Sequence, residues 1–174
     1  MDFHSMTISP ANPEILYGWF QGRLYRTKDG GKSWEYPQAR GLPKEGFCFG
    51  APCLAAGGGD EKVVYAGTPR GLMVSRDFGE TWTQAAEQLG AVAAIGIDSS
   101  NSHRLFAYAE KFGVALSQDG GKSWRPRNQG VNLSRHELIF AFAFDSRNSS
   151  HVYAATPHQV LRTSDEGQRW EKIL

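Results

Sequence analysis

The segment Thr27–Glu35 reads TKDGGKSWE, and Ser117–Arg125 reads SQDGGKSWR. A phrase kept this closely at two distant places marks a duplicated structural unit, and internal repetition constrains a fold more than any other sequence property. Two looser copies complete the set: SRDFGETWT from Ser75 and TSDEGQRWE from Thr163. All four share Ser or Thr, any residue, Asp, any residue, Gly, two residues, then Trp. The pattern aligns Asp29, Asp77, Asp119 and Asp165; Gly31, Gly79, Gly121 and Gly167; and Trp34, Trp82, Trp124 and Trp170. Successive aspartates stand 48, 42 and 46 residues apart.

The repeat extends beyond the phrase. Tyr17, Tyr65 and Tyr153 each precede their aspartate by 12 residues, and Phe106 precedes Asp119 by 13. Polar turn chemistry lies before each aromatic: SPANPEILY, GGGDEKVVY, DSSNSHRLF and DSRNSSHVY. Each unit reads as four short strands. An apolar inner strand covers about 4–8, 50–56, 91–97 and 138–144. A second strand ends near the aromatic. A third is RLYRT, GLMVS, GVALS or QVLRT, and a fourth begins at the Trp. AVAAIGI and LIFAFAF are apolar on both faces, as a strand sandwiched between neighbouring sheets must be. Four strands per repeat of this length are the signature of β-propeller blades. The expectation is an all-β chain: one β-propeller unit over residues 1–174, with four four-stranded antiparallel blades at about 3–37, 47–85, 90–126 and 137–174.

The repeated phrase falls where the chain reverses between third and fourth strands. Asp accepts hydrogen bonds from the backbone of its own turn, Gly supplies positive φ, and Trp fills the space between blades. The conserved types within the repeat are therefore read as folding devices. On these residues the chain resembles the Asp-box, or BNR-repeat, propellers. It is most similar, through SPANPEILYGWFQGRLYRTKDGGKSWE, to bacterial BNR-repeat proteins of glycosyl-hydrolase type. Sialidases, sortilin-type receptors and photosystem II assembly factors share the fold. The resemblance implies boxes on the face opposite the binding site, and a function set by other residues.

Bulk composition narrows the alternatives. A net charge of +1 without clustering gives no nucleic-acid footprint, and no apolar run has membrane-spanning length, so neither nucleic acid nor membrane insertion is expected. Cys48 and Cys53 form no disulfide framework; they pair locally or are two small buried thiols. MDFHSMTISP lacks the regions of a signal peptide. The protein is cytoplasmic if that start is native, and secreted or of the cell envelope if a leader and blades once preceded it. Asn132-Leu-Ser134 and Asn148-Ser-Ser150 are formal glycosylation sequons, relevant only to a secreted eukaryotic protein. GGKS at Gly30–Ser33 and Gly120–Ser123 looks like the end of a phosphate-binding loop. Arg26 and Leu116 stand where that loop needs its first Gly, and the segment joins two strands. The five His form no HExxH or close pair, so no metal or other cofactor is expected.

In a propeller the loops from second to third strand, and from fourth to the next first strand, gather on one face. They carry the candidate ligand-binding set: Trp19, Phe20, Arg40, Arg70, Tyr108, Arg135, His136 and His158, with His4 near the start of the first inner strand. Aromatics, Arg and carboxylates together suit a carbohydrate or protein ligand. Glycosidases use two carboxyl groups, for which Glu45, Glu110 and Glu137 are the candidates. The Arg-Ile-Pro type motif of sialidases is absent from the sequence. The reading is a binding or scaffold module for a protein or glycan, with a glycoside hydrolase using loop carboxylates as the alternative. Members of the resembled family close with six to eight blades, and four units leave three arrangements open. These are a piece of a longer chain, a homodimer sharing one ring, and a closed four-bladed ring.

Overall fold

The computed structural model describes residues 3–43, 53–134 and 137–174, with Phe3 and His4 as backbone. Strands β1 (Phe3–Ile8), β2 (Leu16–Phe20) and β3 (Arg23–Thr27) form the first sheet. The second contains β4 (Cys53–Ala56), β5 (Val64–Thr68), β6 (Gly71–Ser75) and β7 (Thr83–Ala86). The third contains β8 (Val92–Asp98), β9 (Asn101–Ala109), β10 (Gly113–Ser117) and β11 (Arg125–Pro126). The fourth contains β12 (Ala141–Phe144), β13 (Val152–Ala155), β14 (Val160–Thr163) and β15 (Glu171–Lys172). Each sheet is an antiparallel meander in chain order, because turns of a few residues join only adjacent antiparallel strands. In blade 1 the fourth strand shrinks to one bridge, in which Arg26 and Glu35 exchange N–H···O bonds of 3.0 and 2.8 Å.

The register repeats like the sequence. Tyr17 stands opposite Arg26, Tyr65 opposite Val74, Phe106 opposite Leu116 and Tyr153 opposite Arg162. Inner strands β1, β4, β8 and β12 run side by side and flank a groove of about 420 Å³. The Ser5 and Thr7 hydroxyls accept bonds of 2.9 and 3.0 Å from the Leu54 and Ala56 amides, tying blade 1 to blade 2.

Among the described residues, three apolar cores lie between blades. Tyr17, Trp19 and Leu24 meet Leu54, Val64 and Trp82. Tyr65, Leu72 and Val74 meet Val92, Leu105 and Trp124. Phe106, Val114 and Leu116 meet Val152, Leu161 and Trp170. Strands β5 and β6 are buried at every position, as strands covered on both faces must be. In β13 and β14 fully buried residues alternate with half-buried ones, the pattern of a sheet covered on one face. The apolar run LIFAFAF predicts an inner strand covered on both faces. Ala141 and Ala143 are exposed instead, because among the described residues nothing packs on the far side of blade 4. Blade 1 is open in the same way: Met6 is 59% and Ile8 51% exposed. The described residues thus form an open arc, since none of the three cores joins blade 4 to blade 1.

Candidate functional site

The four boxes are turn staples. Asp29 Oδ1 accepts the Thr27 hydroxyl at 2.7 Å and the Ser33 amide at 2.9 Å, and Oδ2 accepts the Ser33 hydroxyl at 2.5 Å. Asp77 repeats this with Ser75 and Thr81, and Asp119 with Ser117 and Ser123. Asp165 binds the Thr163 hydroxyl and the Arg169 amide. The hydroxyl four residues after Asp was legible in GGKSW and GETW but is missing from the eight-residue pattern; Arg169 replaces it in the fourth box. The Gly31, Gly79, Gly121 and Gly167 amides donate back to the leading hydroxyl at 2.8–2.9 Å, from left-handed φ of 80–91°. Hydrogen bonds from Ser33 and Ser123 hold Asp29 and Asp119 far below the usual carboxylate range. At Asp77 burial pushes upward, and the Thr81 and Ser75 bonds outweigh it. At Asp165 the Arg169 amide is the main cause of lowering. The amides of GGKS are therefore already engaged: the first Gly donates to the Glu14 or His103 carbonyl, the second to the leading hydroxyl, and the Ser to the Asp carboxylate, which leaves no cradle for phosphate.

The opposite loops show a different pattern. The β2–β3 and β5–β6 connections are two-residue turns at Gln21–Gly22 and Pro69–Arg70. Arg70 is exposed, and its carbonyl accepts the Gln84 amide at 2.8 Å. Glu110 opens the β9–β10 turn, where its carboxylate accepts the Ala91 amide at 3.4 Å. Thr156 to Gln159 forms the β13–β14 turn, with His158 exposed at its tip.

Glu137 joins two of these loops. Its carboxylate accepts the Ser134 amide and hydroxyl, each at 3.2 Å, from the segment entering blade 4. It also accepts the Thr156 hydroxyl and the Gln159 amide, the latter at 3.3 Å to both oxygens, from the β13–β14 turn. Gln159 further donates to the Asn132 carbonyl at 3.0 Å. The Thr156 hydroxyl is the main influence holding the Glu137 carboxyl below its ordinary value. Tyr108 packs beside this cluster on the blade 3–4 core; burial raises its phenol, and the Glu137 charge adds to that. A carboxylate stabilised as an anion is a poor proton donor at neutral pH, since a general acid needs the opposite shift.

Other sequence candidates lie elsewhere. Trp19 is 3% exposed and inward-facing in β2, so it packs the blade 1–2 core. Phe20 ends the same strand on the open side, edge-on to Tyr25 at 5.7 Å between centroids. Arg40 is exposed at the outer rim, bridged through its backbone to Thr81 of the second box. His4 lies in β1, without a described side chain. Glu45, Arg135, His136 and Cys48 lie outside the described residues; Cys53 Sγ stands 3.9 Å from the Gly67 and Val92 carbonyls. The structure thus brings Tyr108, Glu137 and His158 to the loop ends of blades 3 and 4, with Glu110 on the neighbouring turn. Sequence reasoning missed Ser134, Thr156 and Gln159, which signal themselves only through their partners in space. Among the described residues, no group of three His, Cys, Asp or Glu could hold a metal ion, and no helix is long and apolar enough to cross a membrane.

The repeated blades and their boxes define an Asp-box, or BNR-repeat, β-propeller chain. The BNR/Asp-box repeat family model matches residues 73–84, which contain the second box. A xyloglucanase of Paenibacillus sp is 29% identical over 166 residues, covering 88% of this chain and 16% of the relative. An ancestral GH74 enzyme superposes with a TM-score of 0.74 at 21% identity, over 98% of this chain and 24% of that one. YCF48 bound to D1 peptide superposes with a TM-score of 0.51 at 18% identity, over 98% of this chain and 66% of that one. The two structural likenesses establish the fold. The chain spans about a sixth of the length of the xyloglucanase it matches.

Proposed function

We propose that the chain is a binding module whose ligand, a glycan or a protein segment, docks on the loop ends of blades 3 and 4. The observation that supports this most is Glu137. It is a carboxylate on the expected face, and its hydrogen bonds fasten one loop to another and favour its anion. It acts as a loop clamp, presenting His158 and the edge of Tyr108 at a fixed spacing. Preorganised loops bind more tightly because less freedom is lost on association. The glycan class is supported by the likeness to a xyloglucanase, and the protein class by YCF48 bound to D1 peptide.

The alternative is glycoside hydrolysis through a loop carboxylate pair, favoured by the same xyloglucanase relative. Titration with xyloglucan oligosaccharides in a calorimeter, beside an assay for new reducing ends, separates the two. Heat of binding without new reducing ends is expected. Hydrolysis that disappears in Glu110→Gln or Glu137→Gln would overturn the non-catalytic reading.

A further inference from the structure

The two open ends of the arc are the two halves of one junction. Between blades 1 and 2 that junction is complete. Leu24 fills the space above Gly79, its Cδ2 2.9 Å from where a Cβ would stand. The Tyr17 hydroxyl reaches the Glu61 carbonyl at 3.4 Å. Arg26 donates to the Phe78 carbonyl at 2.6 Å, pairs with Glu80 at 3.1 Å, and is steadied by Glu35. Relative to their box aspartates, Tyr17, Leu24, Arg26 and Glu35 stand at the same positions as Tyr153, Val160, Arg162 and Glu171. Blade 4 therefore carries the same plug on its open face, with Arg162 already paired to Glu171.

Blade 1 carries the matching socket. Leu72 lies over Gly121 and Phe106 over Gly167, but over Gly31 only its own box's Trp34 comes within 4 Å of a Cβ position. Trp34 is 39% exposed, against 5%, 8% and 2% for Trp82, Trp124 and Trp170. Phe78 and Glu80 correspond to Gly30 and Lys32 in the first box. Lys32 in place of Glu80 would repel Arg162, but the Glu14 carboxylate lies against Gly30, 2.8 Å from a Cβ position there. The charges then alternate, Arg162 towards Glu14 and Glu171 towards Lys32.

We infer that blade 4 of one copy docks on blade 1 of a second copy, and that two such junctions close a two-fold ring of eight blades. A head-to-tail contact that closes buries both sticky faces and stops at two copies. This inference is independent of the ligand assigned to the loop face.

Light scattering on a sizing column tests it. Wild type is expected at twice the 19.2 kDa chain mass. Trp34→Glu removes the socket and Arg162→Glu the plug, so each alone is expected as a single chain. Unchanged circular dichroism and a single cooperative thermal transition, lowered only by the lost association, show that each variant remains folded. Mixed together, the two variants are expected to form a heterodimer, because one intact plug meets one intact socket. A wild type that stays monomeric at all concentrations overturns the proposal and leaves these faces for blades of a longer chain. Dimers that survive both substitutions, a mixture that fails to associate, or growth beyond two copies also overturn it.

Discussion

Asp29, Asp77, Asp119 and Asp165 each answer the same local problem. A tight reversal leaves amides without strand partners, and a buried unpaired amide is costly. One carboxylate and one hydroxyl satisfy them, and the bonds favour the ionised form. The native carboxyl values are depressed, so the unfolded chain binds more protons in the acid range, and stability rises with pH there. The contribution is present above the ordinary carboxyl value of about 4 and is lost as pH falls through the depressed native values. Thermal unfolding from pH 6 down to pH 2 is expected to show a falling midpoint below that value. Asp119→Asn is expected to be less stable at pH 6 and to show a shallower acid slope. An unchanged slope would mean that the carboxylate charge contributes nothing. The box was legible because its residues act within one turn. Trp19 falls in a loop only if the second strand ends near Tyr17, whereas β2 runs on to Phe20. Tyr17 and Trp19 are two residues apart and share a face, and that period-two signal placed both inward.

A blade is stable only against its neighbours. Its outer strand is short, as in β11 and β15, so most of its apolar area lies on the two sheet faces. A box Trp lies in each contact, with the Trp124 and Trp82 indoles anchored to the Gly121 and Gly79 carbonyls at 3.0 Å. Trp170→Ala removes a side chain that is 2% exposed and is expected to cost about 3–5 kcal/mol, as buried aromatic truncations do. Trp34→Ala, made in the Arg162→Glu chain to keep it monomeric, is expected to cost less than about 1 kcal/mol, the usual scale for exposed sites. Urea unfolding of both variants checks this. Equal losses would mean that Trp34 is covered within one chain. The blade pattern was readable from repeat length and aromatic offsets. The Glu137 cluster was not, because Ser134, Thr156 and Gln159 converge from segments separated by more than 20 residues.

The described residues of the whole molecule form an open arc rather than a closed four-bladed ring. In an arc, three boxes are covered by the preceding blade and the first is not. The Gly79, Gly121 and Gly167 amides are bonded to buried hydroxyls beneath a neighbour, whereas the Gly31 bond lies at a partly open surface. Amide hydrogen exchange reports such differences directly, because opening free energy follows local packing. The measurement that decides is exchange at these four glycine amides in the monomeric Arg162→Glu chain. The arc predicts slow exchange at Gly79, Gly121 and Gly167 and clearly faster exchange at Gly31. Equal protection at all four would contradict it, since only a blade packed against the first box within one chain produces that result.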